Sequence, residues 1–115
     1  MKIPVLLLSL AALTASAFAQ TQGEMNAEAA ADFKKAAAKL NAVYQKVKAS
    51  QDEDGLPLLK TAQKAWLAYR DAEATLEAAP NKGGSIYPLV YAEAQTRLTE
   101  ARTKELEDLL KGSEG

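Results

Sequence analysis

The sequence contains no cysteine and no histidine. Without thiols there is no disulfide and no thiolate nucleophile. Without imidazole there is no His/Cys metal site, no Ser–His or Cys–His pair, and no side chain that titrates unassisted near neutral pH. Aromatic residues are few: one Trp, four Tyr and two Phe. Four prolines and six glycines leave little material for a loop-rich fold. Strand-like alternation and internal repeats are missing as well. A net charge of −1 gives no electrostatic footprint for nucleic acid or an anionic membrane. Small exported domains often rely on disulfides, so a cysteine-free chain of this size must hold together by helix packing alone.

The first segment has the form of a secretory signal. Lys2 supplies the positive end, residues 3–13 are apolar apart from Ser9, and Ala17-Phe18-Ala19 matches an A-x-A cleavage sequence. The apolar run is too short for a comfortable membrane span and contains Pro4. The expectation is a signal peptide over residues 1–19, with cleavage before Gln20. Residues 20–115 then form a single exported domain, periplasmic or secreted, with no membrane insertion once the signal is removed. No cysteine follows the cut, which excludes a lipoprotein anchor on a mature N-terminal Cys.

Three helices are expected, near 24–50, 57–79 and 88–111. Thr21-Gln22-Gly23-Glu24 reads as a capping box opening the first. In that helix Ala29, Phe33, Ala36, Leu40, Val43 and Val47 recur at steps of three and four. Gln51-Asp52-Glu53-Asp54-Gly55 ends it, with Gly55 expected in the left-handed conformation. The three acids lack the ligand spacing of an EF-hand loop, so no metal site is assigned. Pro57 suits the first turn of the second helix.

The apolar stripe of that second helix is read as Leu59, Ala62, Trp66, Tyr69 and Leu76, widened by Leu58 and Ala65. Gln63, Lys64, Arg70 and Asp71 then fall off it, and Glu73 interrupts it. Pro80-Asn81-Lys82-Gly83-Gly84-Ser85 breaks the chain again. It follows a helix and no strand, which argues against a phosphate loop. On the third helix Tyr91, Ala94, Leu98, Ala101, Glu105 and Leu109 share a face, with Arg102 and Leu106 beside it. The fold class is therefore all-α: a small three-helix bundle with an antiparallel hairpin of helices two and three. Its register places Glu73 and Ala74 level with Ala94, Trp66 level with Ala101 and Arg102, and Asp71 level with Arg97. Trp66, Tyr69, Leu76, Tyr91, Leu98, Phe33, Leu40 and Val47 are the expected core. Glu73 is expected to be at least half buried and bonded to Arg70, Arg102 or a tyrosine hydroxyl, fixing the hairpin register.

The order of several short motifs adds a further reading. Thr21-Gln22-x-Glu24-Met25-Asn26 is followed by Leu40-Asn41-x-x-Tyr44, then by residues 62–73 (Ala-Gln-Lys-Ala-Trp-Leu-Ala-Tyr-Arg-Asp-Ala-Glu). Gly83-Gly84-Ser85 and Leu98-Thr99-x-x-Arg102-Thr103-x-x-Leu106 complete the series. This order resembles the lysozyme inhibitor LprI-like N-terminal domain family, formerly DUF1311, over nearly the whole segment 20–115. The family typically carries cysteines where this chain has Glu28, Ala74 and Ala94. The resemblance thus implies that a disulfide usual in the family is absent here.

The same resemblance implies an exported small helical binding protein, a lysozyme inhibitor acting by direct contact, whose partner is lysozyme or another envelope or secreted protein. An exposed loop is the expected probe, which singles out Lys82, Gly83, Gly84 and Ser85 as the candidate partner-binding residues. The family-motif residues Gln63, Trp66, Tyr69, Arg70, Asp71, Glu73 and Arg102 are read as structural. Two other readings remain open. One is an envelope-associated structural module that docks through the alanine-rich first helix and has no inhibitory activity. The other is an enzyme using Glu73 with Arg70 or Arg102. No catalytic residue, cofactor or nucleic-acid partner is assigned, and the oligomeric state stays open.

Overall fold

The computed structural model describes the backbone of residues 3–114 and the side chains of residues 21–112. Three helices account for nearly all of it: α1 (Ile3–Ser50), α2 (Gly55–Ala78) and α3 (Tyr87–Glu114). A single 3-10 turn, Ala79–Asn81, extends α2 before the last loop. There is no strand among the described residues. The all-α three-helix fold expected from the sequence is the observed one.

The first helix begins earlier than expected. It is continuous from Ile3, so Thr21-Gln22-Gly23-Glu24 lies within a helix and not at its start. The flanking alanine-rich sequence explains this, because after Pro4, which falls in the first turn, no helix breaker other than Gly23 interrupts it. The side chains of the segment read as a targeting signal, residues 1–19, lie outside those described.

Helix α1 packs mainly on α3, and the two run parallel. Ala29 clusters with Leu89 and Ala92 near one end. Leu40 and Val47 cluster with Leu59 and Leu106 farther along, and Trp66 packs partly buried against them. On α1 the inward positions are Ala29, Phe33, Ala36, Leu40, Val43 and Val47, as the spacing predicted. On α3 the matching inward positions are Leu89, Ala92, Thr96, Thr99, Thr103, Leu106 and Leu110. Both sets alternate steps of three and four, the repeat of a left-handed coiled-coil seam. Thus α3 turns a different face to α1 than expected. Ala101, Glu105 and Leu109 are exposed, and threonines fill the middle of the seam.

The α2 stripe is also corrected. Leu58 is 71 % exposed, Tyr69 52 % and Leu76 67 %, and Ala62 and Ala65 lie outside as well. The inward face is Leu59, Gln63, Trp66, Arg70, Ala74 and Ala78, rotated by about one residue position. Polar side chains can occupy that face because each finds a partner there. Gln63 accepts from Arg102 Nε at 3.0 Å, and Arg102 also donates to Glu105 at 3.1 Å. Asp71 accepts from Arg70 Nε at 2.9 Å and from Gln95 Nε2 at 3.0 Å.

The hairpin of α2 and α3 is antiparallel, as expected, with small shifts in its pairs. Asp71 meets Gln95, whereas Arg97 makes a bidentate ion pair with Glu77. Asp71 and Arg97, expected to lie level, are thus each bonded to another residue. Ala74 and Ala94 are both buried.

Two loops close the fold. Asp52 Oδ1 accepts from the Gly55 amide at 2.7 Å, which starts α2 without any left-handed residue there. Among the described residues, Gly83 is the one with positive φ, at 82°. A side chain at Gly84 would place its Cβ 3.2 Å from the Asn81 carbonyl oxygen. The paired glycines thus serve two needs, one of backbone conformation and one of close approach.

Candidate functional site

The loop between α2 and α3 sits at one end of the bundle, and Lys82, Gly83, Gly84, Ser85 and Ile86 are all exposed. It is nevertheless well tied. The Lys82 amide donates to the Ala79 carbonyl at 3.1 Å, and the Gly84 amide to Asn81 at 2.9 Å. The Tyr87 amide closes onto Gly84 at 3.3 Å. From the other side, Asn26 Nδ2 on α1 donates to the Ser85 carbonyl at 2.9 Å, and Gln22 holds Asn26 at 2.8 Å. The structure therefore brings the four predicted loop residues together on a braced, solvent-facing turn carrying one cation, Lys82. The Gln22–Asn26 pair that steadies it was not recognised as part of this site. Its signal is the Thr21–Asn26 motif, whose residues serve the loop instead of capping a helix.

Beneath this loop, α1 and α3 bound an open groove on the flank away from α2, about 380 Å³ in volume. Its floor includes Ala29, Leu89 and Thr96, and Met25 stands at its rim, 45 % exposed. Glu28, Asp32, Glu93 and Glu100 line its sides. Arg97 is the one cation there, and it is engaged by Glu77. Sequence reading missed this acidic groove because its members alternate between two helices distant in the chain.

The motif residues lie elsewhere, along the α2 seam. The Arg70 guanidinium lies over the Phe33 ring, 5.0 Å from its centroid, and over the Trp66 ring at 5.4 Å. Burial pushes the Asp71 carboxyl up. The hydrogen bonds from Arg70 and Gln95, together with the Arg70 charge, outweigh that effect and hold it below the ordinary aspartate value. Glu73 is partly buried, as expected, but it has no hydrogen bond or ion pair among the described residues. Arg70 and Arg102 are taken by Asp71, Gln63 and Glu105. The expected Glu73–arginine bond is thus not formed, nor is the acid–base pair that an enzymatic reading would need. Tyr69 points to solvent and is not part of the core.

The alanines of α1 divide. Ala29 is buried and Ala36 partly so, whereas Ala30, Ala31 and Ala38 are exposed. No group of three or more metal-ligating side chains occurs among the described residues. No helix among them is long and apolar enough to cross a membrane.

Comparison with known proteins adds three findings. The family model described as lysozyme inhibitor LprI matches residues 14–106. An uncharacterized protein of Rhizobium meliloti (strain 1021) is 34 % identical over 109 residues, covering 84 % of this chain and 78 % of the relative. A crystal structure of a DUF1311 family protein from Pseudomonas putida KT2440 superimposes with a TM-score of 0.69 at 24 % identity. That match covers 76 % of this chain and 91 % of the other, and supports the fold alone.

Proposed function

Because this chain belongs to the lysozyme inhibitor LprI family, we propose that it is an exported binding protein that inhibits lysozyme by direct contact. The observation that carries this reading is the loop 82–85, which is exposed yet fixed at both ends by hydrogen bonds. A rigid loop loses little conformational entropy on binding. Glycoside hydrolases of this kind cleave with paired carboxylates in a cleft. Lys82, at the turn, offers a cation to such a cleft. The acidic groove just below offers carboxylates to the basic surface that common lysozymes present around it. The overall charge of −1 is too small to steer the encounter, so this local separation of charge matters more.

The test is lysis of bacterial cell walls by lysozymes of several types, with the exported protein added in rising amounts. Lysis should slow in proportion to its concentration. Lys82→Glu and Ser85→Arg should weaken the effect without changing the far-UV circular dichroism. Unchanged lysis at large molar excess, with every lysozyme tried, would leave the family's fold without its inhibitory activity in this protein. The chain would then be an envelope-associated interaction module.

A further inference from the structure

The outward flank of α2 carries an apolar seam that no other part of the described structure covers. Leu58, Ala62, Ala65, Tyr69, Ala72 and Leu76 follow one another at steps of four, three, four, three and four. All six are exposed, the three large ones by more than half. This is the a/d spacing of a coiled coil, presented to solvent over three heptads. A row of apolar residues on a small protein, contiguous over some 30 Å of helix, marks an interaction surface.

The seam is also self-complementary. Read from either end it runs large, small, small-or-large, and its mirror. When two copies of α2 are laid antiparallel about an axis near Leu67, Leu58 meets Leu76 of the other copy. Ala62 then meets Ala72, and Ala65 meets Tyr69. The one ring of the row, Tyr69, thus falls opposite the small Ala65 on both sides of the axis, and the leucines meet only at the two ends, which lets the seam interdigitate. A two-fold axis requires such a match, because the same patch must serve both sides.

The flanking positions agree. On one side they are Thr61, Ala68 and Thr75, all uncharged, and on the other Leu59, Trp66 and Glu73, whose two copies would lie about 18 Å apart along the helices, so no like charges face each other across the axis. The Thr75 hydroxyl is already satisfied by the Asp71 carbonyl of its own helix, at 2.8 Å. A charged partner such as lysozyme finds nothing to pair with along this row, which separates it from the loop and the acidic groove.

We infer that this protein forms a two-fold homodimer through antiparallel packing of α2 against α2 of a second copy. This does not rest on the inhibitor reading. The dimer would leave the loop 82–85 and the α1–α3 groove free and present them twice, at opposite ends of the assembly.

Sedimentation equilibrium across nanomolar to high micromolar concentrations tests the association. The parent protein should pass from monomer to dimer. Leu76→Glu and Ala62→Glu, both at exposed positions, should raise the dissociation constant more than tenfold while retaining the helical content of the monomer. The absence of native cysteine allows a second, independent measurement. Ala68→Cys, next to the axis, should give a disulfide-linked dimer on mild oxidation. Ala62→Cys alone should not, because its copies would lie about 15 Å apart along the helices. Ala101→Cys, exposed on α3, should remain monomeric in the same conditions. A parent that stays monomeric throughout overturns the inference. So does a dimer that survives Leu76→Glu, or one that cross-links as readily through Ala62→Cys or Ala101→Cys as through Ala68→Cys.

Discussion

The guanidinium carbon of Arg70 lies 5.0 Å from the centre of the Phe33 ring, so a charged side chain marks where α2 meets α1. The same carbon lies 5.4 Å from the centre of the Trp66 ring, and the Arg70 Nε is bound to Asp71. A flat, weakly hydrated cation can fill an aromatic slot and still keep a hydrogen bond, which an ammonium cannot do equally well. The contact of α2 with α1 thus includes a cation over aromatic rings where the sequence suggests a purely apolar one.

Arg70→Lys keeps the charge but loses the planar stack. It should lower stability by about 1–2 kcal/mol in urea unfolding. A double-mutant cycle with Phe33→Leu should return a coupling of about 0.5–1 kcal/mol. Zero coupling would mean that the two groups merely lie near each other.

The contrast between α1 and α2 shows what the sequence discloses and what it conceals. On α1 the apolar residues Leu40, Val43 and Val47 are the buried ones, so spacing alone locates its inner face. On α2 two candidate faces lie side by side. One is the more apolar, with Leu58, Tyr69 and Leu76. The other holds Leu59 and Trp66 but also Gln63 and Arg70. The second is buried because Gln63 and Arg70 find partners on α3 and α1, and those partners cannot be read from α2 itself. The same limit hides the acidic groove, whose carboxylates come from α1 and α3 together. The loop 82–85 is legible because Gly-Gly demands an irregular turn wherever it occurs, and Gly83 does adopt positive φ.

Asp71 makes the stability depend on acid. Its carboxyl is held below the ordinary value in the folded chain, so the unfolded chain binds the proton more readily. The contribution is therefore present above the unfolded carboxylate range. It declines as pH falls through that range and is gone below the folded value. The side chain is half exposed, which limits the effect to about 1 kcal/mol or less. Asp71→Asn should accordingly melt at a lower temperature than the parent near neutral pH, and the two melting temperatures should converge in acid. Parallel curves across the whole range would show that Asp71 does not contribute through its charge.

Thr99 lies fully buried in the α1–α3 seam, and its hydroxyl has no hydrogen-bond partner among the described residues. Thr103, one turn on, satisfies its own hydroxyl on the Thr99 carbonyl at 2.9 Å. A buried hydroxyl left unpaired costs about 1–3 kcal/mol, and valine has the same shape without it. Thr99→Val should therefore stabilise the protein, by about 1 kcal/mol in chemical unfolding, at similar helix propensity. Destabilisation instead would place a water or another partner on that hydroxyl.

Ala74 and Ala94 offer a direct check on the alignment of α2 with α3. Their relative exposures are 0 % and 2 %, and they lie on helices joined by the ion pair of Glu77 with Arg97 and the bond of Asp71 with Gln95. These are two of the positions where the family resemblance implies cysteine. Small residues at both buried sites let the two helices approach closely, and no other thiol can compete. Ala74→Cys with Ala94→Cys should form an intramolecular disulfide on air oxidation. Closing a loop of about 20 residues should stabilise the fold by about 3 kcal/mol. For a domain of this size that raises the melting temperature by roughly 10 °C or more, and reduction should reverse it. Two free thiols persisting under oxidant, or a disulfide formed only between molecules, would mean that Ala74 and Ala94 do not face each other. The hairpin register would then have to be shifted by at least one turn.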